Sequence, residues 1–198
     1  KTILVTGAGG TIGAELSRQI SKLNPKKLIL FELNELALFN INEELFNKYK
    51  NLEIVPLLGN VLDQKKLEIV FKTFKVDTVY HAAAYKHVPI VEQNLVEGIK
   101  NNFIGTFELA KLALEYKVEN FVLISTDKAV NPTNVMGSTK RLAEIYCQTL
   151  GLVKNSPQNT TFVTVRFGNV LGSTGSVVEI FRNQLARGGP LTVTHPDM

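Results

Sequence analysis

Thr126, Asp127 and Lys128 set a hydroxyl, a carboxyl and an ammonium side by side. An acid beside a base can take water out of a carbon skeleton. The acid protonates a departing hydroxyl while the base removes a proton from the neighbouring carbon. For that work the carboxyl must hold a proton and the amine must lose one. Both groups are therefore predicted to be shifted by burial or by neighbours. The apolar run Phe121-Val122-Leu123-Ile124 leads into Ser125 and the triplet, and reads as a buried strand. A turn-prone Asn131-Pro132 follows, then Met136 and Lys140, one helical turn apart.

A second cluster opens the chain. Gly7, Gly10 and Gly13, with Thr11 and Ile12 between them, lie where a strand should give way to a helix. Glycines let the backbone turn sharply and approach a pyrophosphate, which then sits on the helix N-terminus. Glu32 ends the next strand, near the roughly 20-residue offset at which an acidic side chain receives adenosine ribose hydroxyls. A carboxylate there repels a 2′-phosphate, so the expected cofactor is NAD rather than NADP. Asn60 and Val61 follow the third strand, where adenine is expected. His81 and the small residues Ala82, Ala83 and Ala84 follow the fourth, leaving room for a cofactor.

Six strands are predicted to position these groups: 3–6, 27–31, 52–57, 76–81, 121–125 and 161–167. Ile12, Leu16, Ile20 and Leu23 form one face of a helix that Pro25 ends. Ile99, Phe103, Phe107, Ala110 and Leu114 recur at helical spacing before the fifth strand. Near-continuous apolar strands joined by helices mean an α/β fold, a doubly wound parallel sheet covered on both faces. Residues 155–159 read as a surface loop and 191–194 as strand-like. The expected division is a nucleotide-binding domain over 1–170 and the start of a substrate-binding region over 171–198. Both ends look cut, so most of a substrate domain is expected to be missing and the piece alone to bind NAD without turnover.

The 198 residues are 44% hydrophobic and 20% charged, which argues against disorder. A net charge of +4, spread along the chain, is too mild for nucleic acid and suits an anionic small molecule. Cys147 is the only cysteine, which excludes an internal disulfide and fits a reducing, cytoplasmic compartment. No apolar run reaches the roughly 18 residues that would span a bilayer. With 3 histidines and no ligand-like spacing, no metal is expected. His87 and His195 are expected to satisfy local hydrogen bonds.

Four stretches, TGAGGTIG at 6–13, HAAAYKHVP at 81–89, STDKAVNPTNVMGSTK at 125–140 and RFGNVLGSTGSV at 166–177, carry a resemblance. The chain resembles the extended short-chain dehydrogenase/reductases, which have a Rossmann fold. Within them it is most similar to bacterial UDP-N-acetylglucosamine 4,6-dehydratases of polysaccharide and glycan biosynthesis. The resemblance implies oxidation of the sugar at C4 with NAD, loss of the C5 proton and the C6 hydroxyl, and return of the hydride to C6. It implies Lys128 as the C5 base, Asp127 as the acid at C6, and Thr126 bonded to the C4 oxygen. It also implies that Lys140 binds the nicotinamide ribose, that Asn102 braces the active-site strand, and that Lys86 meets a phosphate or the nicotinamide end. Asn169 and Val170 resemble a segment that contacts cofactor and sugar diphosphate.

Met136 departs from the Tyr-x-x-x-Lys pattern of that superfamily, since a thioether cannot take the C4 hydroxyl proton. Similar Met-bearing dehydratases are large and membrane-associated, which implies an N-terminal anchor, the cytoplasmic membrane face and a homo-oligomer. The base for the C4 hydroxyl is open, with Asp127 acting through Thr126 or a water as the candidate. Two other readings stand beside this one. A nucleotide-sugar 4-epimerase would share the oxidation but need no Asp-Lys pair. A regulatory NAD-binding module would turn nothing over.

Overall fold

The computed structural model describes residues 1–152, 160–170, 172 and 176–193. The chain forms two compact units, Lys1–Phe167 and Gly168–Met198. The first alternates strands and helices: β1 (Thr2–Thr6), α1 (Thr11–Lys22), β2 (Lys27–Glu32), α2 (Glu35–Lys48), β3 (Glu53–Leu58), α3 (Gln64–Phe74) and β4 (Thr78–His81). Then come α4 (Val88–Gln93), α5 (Leu95–Ile99), a π turn (Lys100–Ile104) and α6 (Gly105–Glu115). Next are β5 (Asn120–Thr126), a 3-10 turn (Asp127–Ala129), α7 (Val135–Leu152) and β6 (Thr161–Phe167).

The six strands pair in parallel in the order β3-β2-β1-β4-β5-β6. This is a Rossmann-like α/β fold. Parallel neighbours need long crossovers, and the helices provide them on both sheet faces. Leu4, Ile29 and Phe31 pack with Leu67 and Phe71 of α3, Leu109 of α6 and Ala143 of α7. Val5, Leu28 and Leu30 point the other way, onto Ala14 and Ile20 of α1 and Leu38, Ile41 and Leu45 of α2. Burial on both faces is why these strands read as unbroken apolar runs. Pro56 sits in β3, an edge strand, where a missing N–H costs no ladder bond.

Four expectations change. β4 begins at Thr78 rather than residue 76, although Val76 is buried and apolar. Leu23 follows the last turn of α1 and is 80% exposed, because Asn24 turns the chain with φ +48°. The face of α1 against the sheet is mostly small, with Gly13, Ala14, Ser17 and Ser21 around Ile20. In the stripe before β5, Ala110 is buried but Ile99 is exposed. The π turn adds a residue and shifts the inward face to Asn101, Asn102, Gly105, Thr106 and Leu109.

The second unit holds α8 (Val177–Ala186). Residues 191–193, read as strand-like, are not a strand: Thr192 is instead bonded through its N–H and hydroxyl to the Gln184 side chain. Thr194, His195 and the 155–159 loop lie outside the described residues.

Candidate active site

The carboxyl ends of β1, β2, β4 and β5 carry the glycine loop, Glu32, the 82–84 segment and the Thr126–Lys128 turn. In a parallel sheet this edge is where ligands sit.

The glycine loop is built for close approach. Gly7 takes φ +67°, and a Cβ there would lie 2.7 Å from Ala83 N. A Cβ on Gly13 would lie 1.9 Å from the Gly7 carbonyl oxygen, so α1 can start only against a bare α-carbon. Gly10 stands at the N-cap of α1, and no side chain caps that end. By contrast, Asn34 and Asp63 cap α2 and α3 through their side chains. An uncapped N-terminus behind a glycine loop suits a pyrophosphate.

Glu32 holds the loop in shape. Its Oε2 accepts the Gly9 N–H at 2.9 Å, and its Oε1 accepts those of Leu33 and Asn34 at 2.8 and 2.9 Å. The carboxylate thus stands beside the loop, as a ribose-binding acid must. Asn60 accepts the Leu62 N–H, and Val61 is buried against Gly105. Ala82 and Ala83 are half-buried beside Gly7, Lys86 is exposed, and His87 makes no side-chain cap to α4.

At the end of β5, the Thr126 hydroxyl donates to Asp127 Oδ1 at 2.8 Å. Lys128 Nζ donates to the same oxygen at 3.2 Å. The Thr126 hydroxyl, then the Lys128 ammonium, hold the Asp127 carboxyl below the usual carboxylate range. The expected upward shift of Asp127 is therefore not found. Its side chain is 54% exposed, so burial is too slight to oppose its neighbours. In this state Asp127 is a carboxylate, a proton acceptor.

α7 is pressed onto this turn. A Cβ on Gly137 would lie 2.2 Å from the Lys128 carbonyl oxygen, so glycine sets the spacing. Glu92 of α4 accepts the Val135 N–H at 2.6 Å, capping α7 from outside. Met136 is buried. Lys140 is also buried, and its ammonium donates to the Ile124 carbonyl at 2.7 Å. Burial pushes Lys140 down to about 8, against the pull of Glu144. Asn102 accepts the Tyr85 N–H and donates to the Tyr85 carbonyl and to Thr139 Oγ1. It braces the loop after β4 as well as α7.

Two groups were missed by sequence reasoning. Glu144 is fully buried, with Arg166 of β6 on both its oxygens at 2.8 and 2.5 Å and Arg141 at 3.1 Å. Its signal was a carboxylate one turn beyond Lys140 on an apolar helix. His81 is the second, fixed between two threonine hydroxyls. Asn169 and Val170 follow β6 and belong to the second unit. Among the described residues, no group of His, Cys, Asp or Glu could hold a metal ion. No helix among them is long and apolar enough to cross a membrane.

Residues 3–198 match the polysaccharide biosynthesis protein family, and the chain belongs to that family. Over its whole length it is 53% identical to the capsular polysaccharide biosynthesis protein CapD of Staphylococcus aureus, of which it covers 33%. It is 35% identical to the UDP-N-acetylglucosamine 4,6-dehydratase (inverting) of Campylobacter jejuni, with 98% of this chain and 57% of that protein covered. It is equally, 35%, identical to the UDP-glucose 4-epimerase of Rickettsia massiliae, with 100% of this chain and 57% of that protein covered. The X-ray structure of Pen from Bacillus thuringiensis has a TM-score of 0.90 and 35% identity, with 98% of this chain and 60% of that one covered. The chain thus spans between a third and three fifths of the length of these relatives.

Proposed function

We propose that this chain is the NAD-binding catalytic part of a nucleotide-sugar 4,6-dehydratase acting on UDP-N-acetylglucosamine in polysaccharide or glycan biosynthesis. The observation that carries the reading is the Thr126–Asp127–Lys128 turn, with the Thr126 hydroxyl bonded to an ionised Asp127 and Lys128 beside it. Gly7, Gly10, Thr11, Ile12 and Gly13 would hold the pyrophosphate, Glu32 the adenosine ribose, and Lys140 the nicotinamide ribose. When bound, NAD supplies a hydride acceptor for C4 and the same hydride for C6.

The protein groups then do the proton work. Thr126 receives the C4 hydroxyl proton and passes its own to Asp127, which replaces the missing tyrosine. Asp127 is now a carboxylic acid. Lys128, once its ammonium has given a proton to solvent, takes the C5 proton as an amine, and Asp127 returns its proton to the C6 hydroxyl, which leaves as water. Lys128 finally gives its proton back to C5. Each group ends as it began, so one carboxyl serves as base in the first half and acid in the second. Lys86 would contact the substrate.

A 4-epimerase is the second reading, favoured by the equal identity to the Rickettsia enzyme. It leaves the adjacent Asp127 and Lys128 unused. Incubating the full-length protein with UDP-N-acetylglucosamine separates the readings. A 4-keto-6-deoxy sugar supports dehydration, a C4 epimer supports the second reading, and unchanged sugar rejects both.

Cofactor choice follows from Glu32. The full-length protein should bind NAD more tightly than NADP, by about 1–3 kcal/mol, because a 2′-phosphate would face a carboxylate. Equal calorimetric affinities would remove Glu32 from the ribose site.

A further inference from the structure

His81 lies at the end of β4, fully buried, and the mechanism above makes no use of it. Its Nδ1 is 2.7 Å from Thr6 Oγ1 and its Nε2 is 2.9 Å from Thr106 Oγ1. Thr106 spends its single hydroxyl hydrogen on the Asn102 carbonyl, at 2.8 Å. It must therefore accept from the ring, so the proton sits on Nε2 and Nδ1 accepts from Thr6. Burial, then the Lys140 charge, depress the ring to about 3, so this neutral tautomer is the working form.

The contacts continue on both sides. Thr6 is the last residue of β1 and runs straight into Gly7. Asn102 donates to Thr139 at 3.1 Å, and Thr139 donates to the Met136 carbonyl at 2.7 Å. One satisfied buried path thus joins the root of the glycine loop to the first turn of α7, next to Lys140. Such networks fix geometry because every broken link strands a buried polar group.

We infer that His81 is a positioning residue that sets the spacing between the glycine loop and α7, so that one dinucleotide can be gripped by both. This rests on the reading of the site as an NAD site. Adenosine diphosphate needs only the glycine loop, Glu32 and the adenine end at Asn60 and Val61. NAD also needs Lys140 at the correct distance. A defect in the relay should therefore separate the two ligands.

The test is calorimetry of the full-length protein with NAD and with adenosine diphosphate. His81→Leu should weaken NAD by about tenfold, the loss typical of a stranded buried hydrogen bond, and leave adenosine diphosphate within about twofold. His81→Gln, whose amide can accept from one threonine and donate to the other, should recover most of the NAD affinity. If the leucine variant does not fold, Thr106→Ala breaks the same path and should show the same split. Equal loss for both ligands, no loss, or a glutamine variant no better than leucine would overturn the relay. A wild-type protein that binds no NAD overturns the cofactor reading and this inference together. The other outcomes strike the relay alone.

Discussion

If Lys128 is the C5 base proposed above, Lys128→Ala should lower dehydration by about a thousandfold, the usual worth of a positioned general base, and leave NAD affinity unchanged. The lysine stands on the 3-10 turn after β5, away from the glycine loop and Glu32, so cofactor binding is untouched. Thr126 and Asp127 remain, so by the same mechanism oxidation at C4 should still proceed. Mass spectrometry of the quenched complex should find the 4-keto sugar with its C6 hydroxyl in place. In deuterium oxide the C5 hydrogen should not exchange. Near wild-type turnover, or exchange at C5, would mean that another group is the base.

In the proposed mechanism Asp127→Asn should stop the reaction one step earlier. An amide cannot accept the proton that Thr126 relays, so the C4 hydroxyl keeps it and no ketone forms. Turnover should again fall by about a thousandfold or more, since this one group serves both halves of the reaction. The two variants are thus told apart by the trapped sugar: oxidised with Lys128→Ala, untouched with Asp127→Asn. A ketone in the asparagine variant would assign the C4 base elsewhere and leave Asp127 only the acid role.

The central strands were legible because they are buried on two faces, which leaves a run such as Leu28–Phe31 no alternative to a central strand. The loop between β1 and α1 was legible because Gly7, Gly10 and Gly13 recur at fixed spacing between an apolar run and a helical one, and Glu32 because it ends the next strand. What failed was whatever depends on a contact across the fold. Val76 looks like strand but is buried just ahead of β4. Nothing in the run from residue 99 to 104 announces a π turn, because an inserted residue leaves the composition unchanged. The direction of the Asp127 shift was missed because exposure cannot be read from a triplet. The His81 network joins residues 75 and 25 positions apart, so no window along the chain contains it.

Glu144 gives the edge of the sheet an acid dependence of its own. Burial pushes its carboxyl up, but Arg166 and Arg141 outweigh burial and the net shift is downward. A carboxyl lowered on folding contributes stability above its unfolded value of 4.5 and loses that contribution as the pH falls through its folded value. Protonation removes the anion that joins α7 to β6 and leaves two guanidiniums facing each other across a neutral acid. Among the described residues β6 is the outermost strand, paired with β5. As the pH falls below 4.5 the join between β6 and the foot of α7 should therefore weaken, while His81, held neutral in β4, lowers stability separately from 6.5 downward.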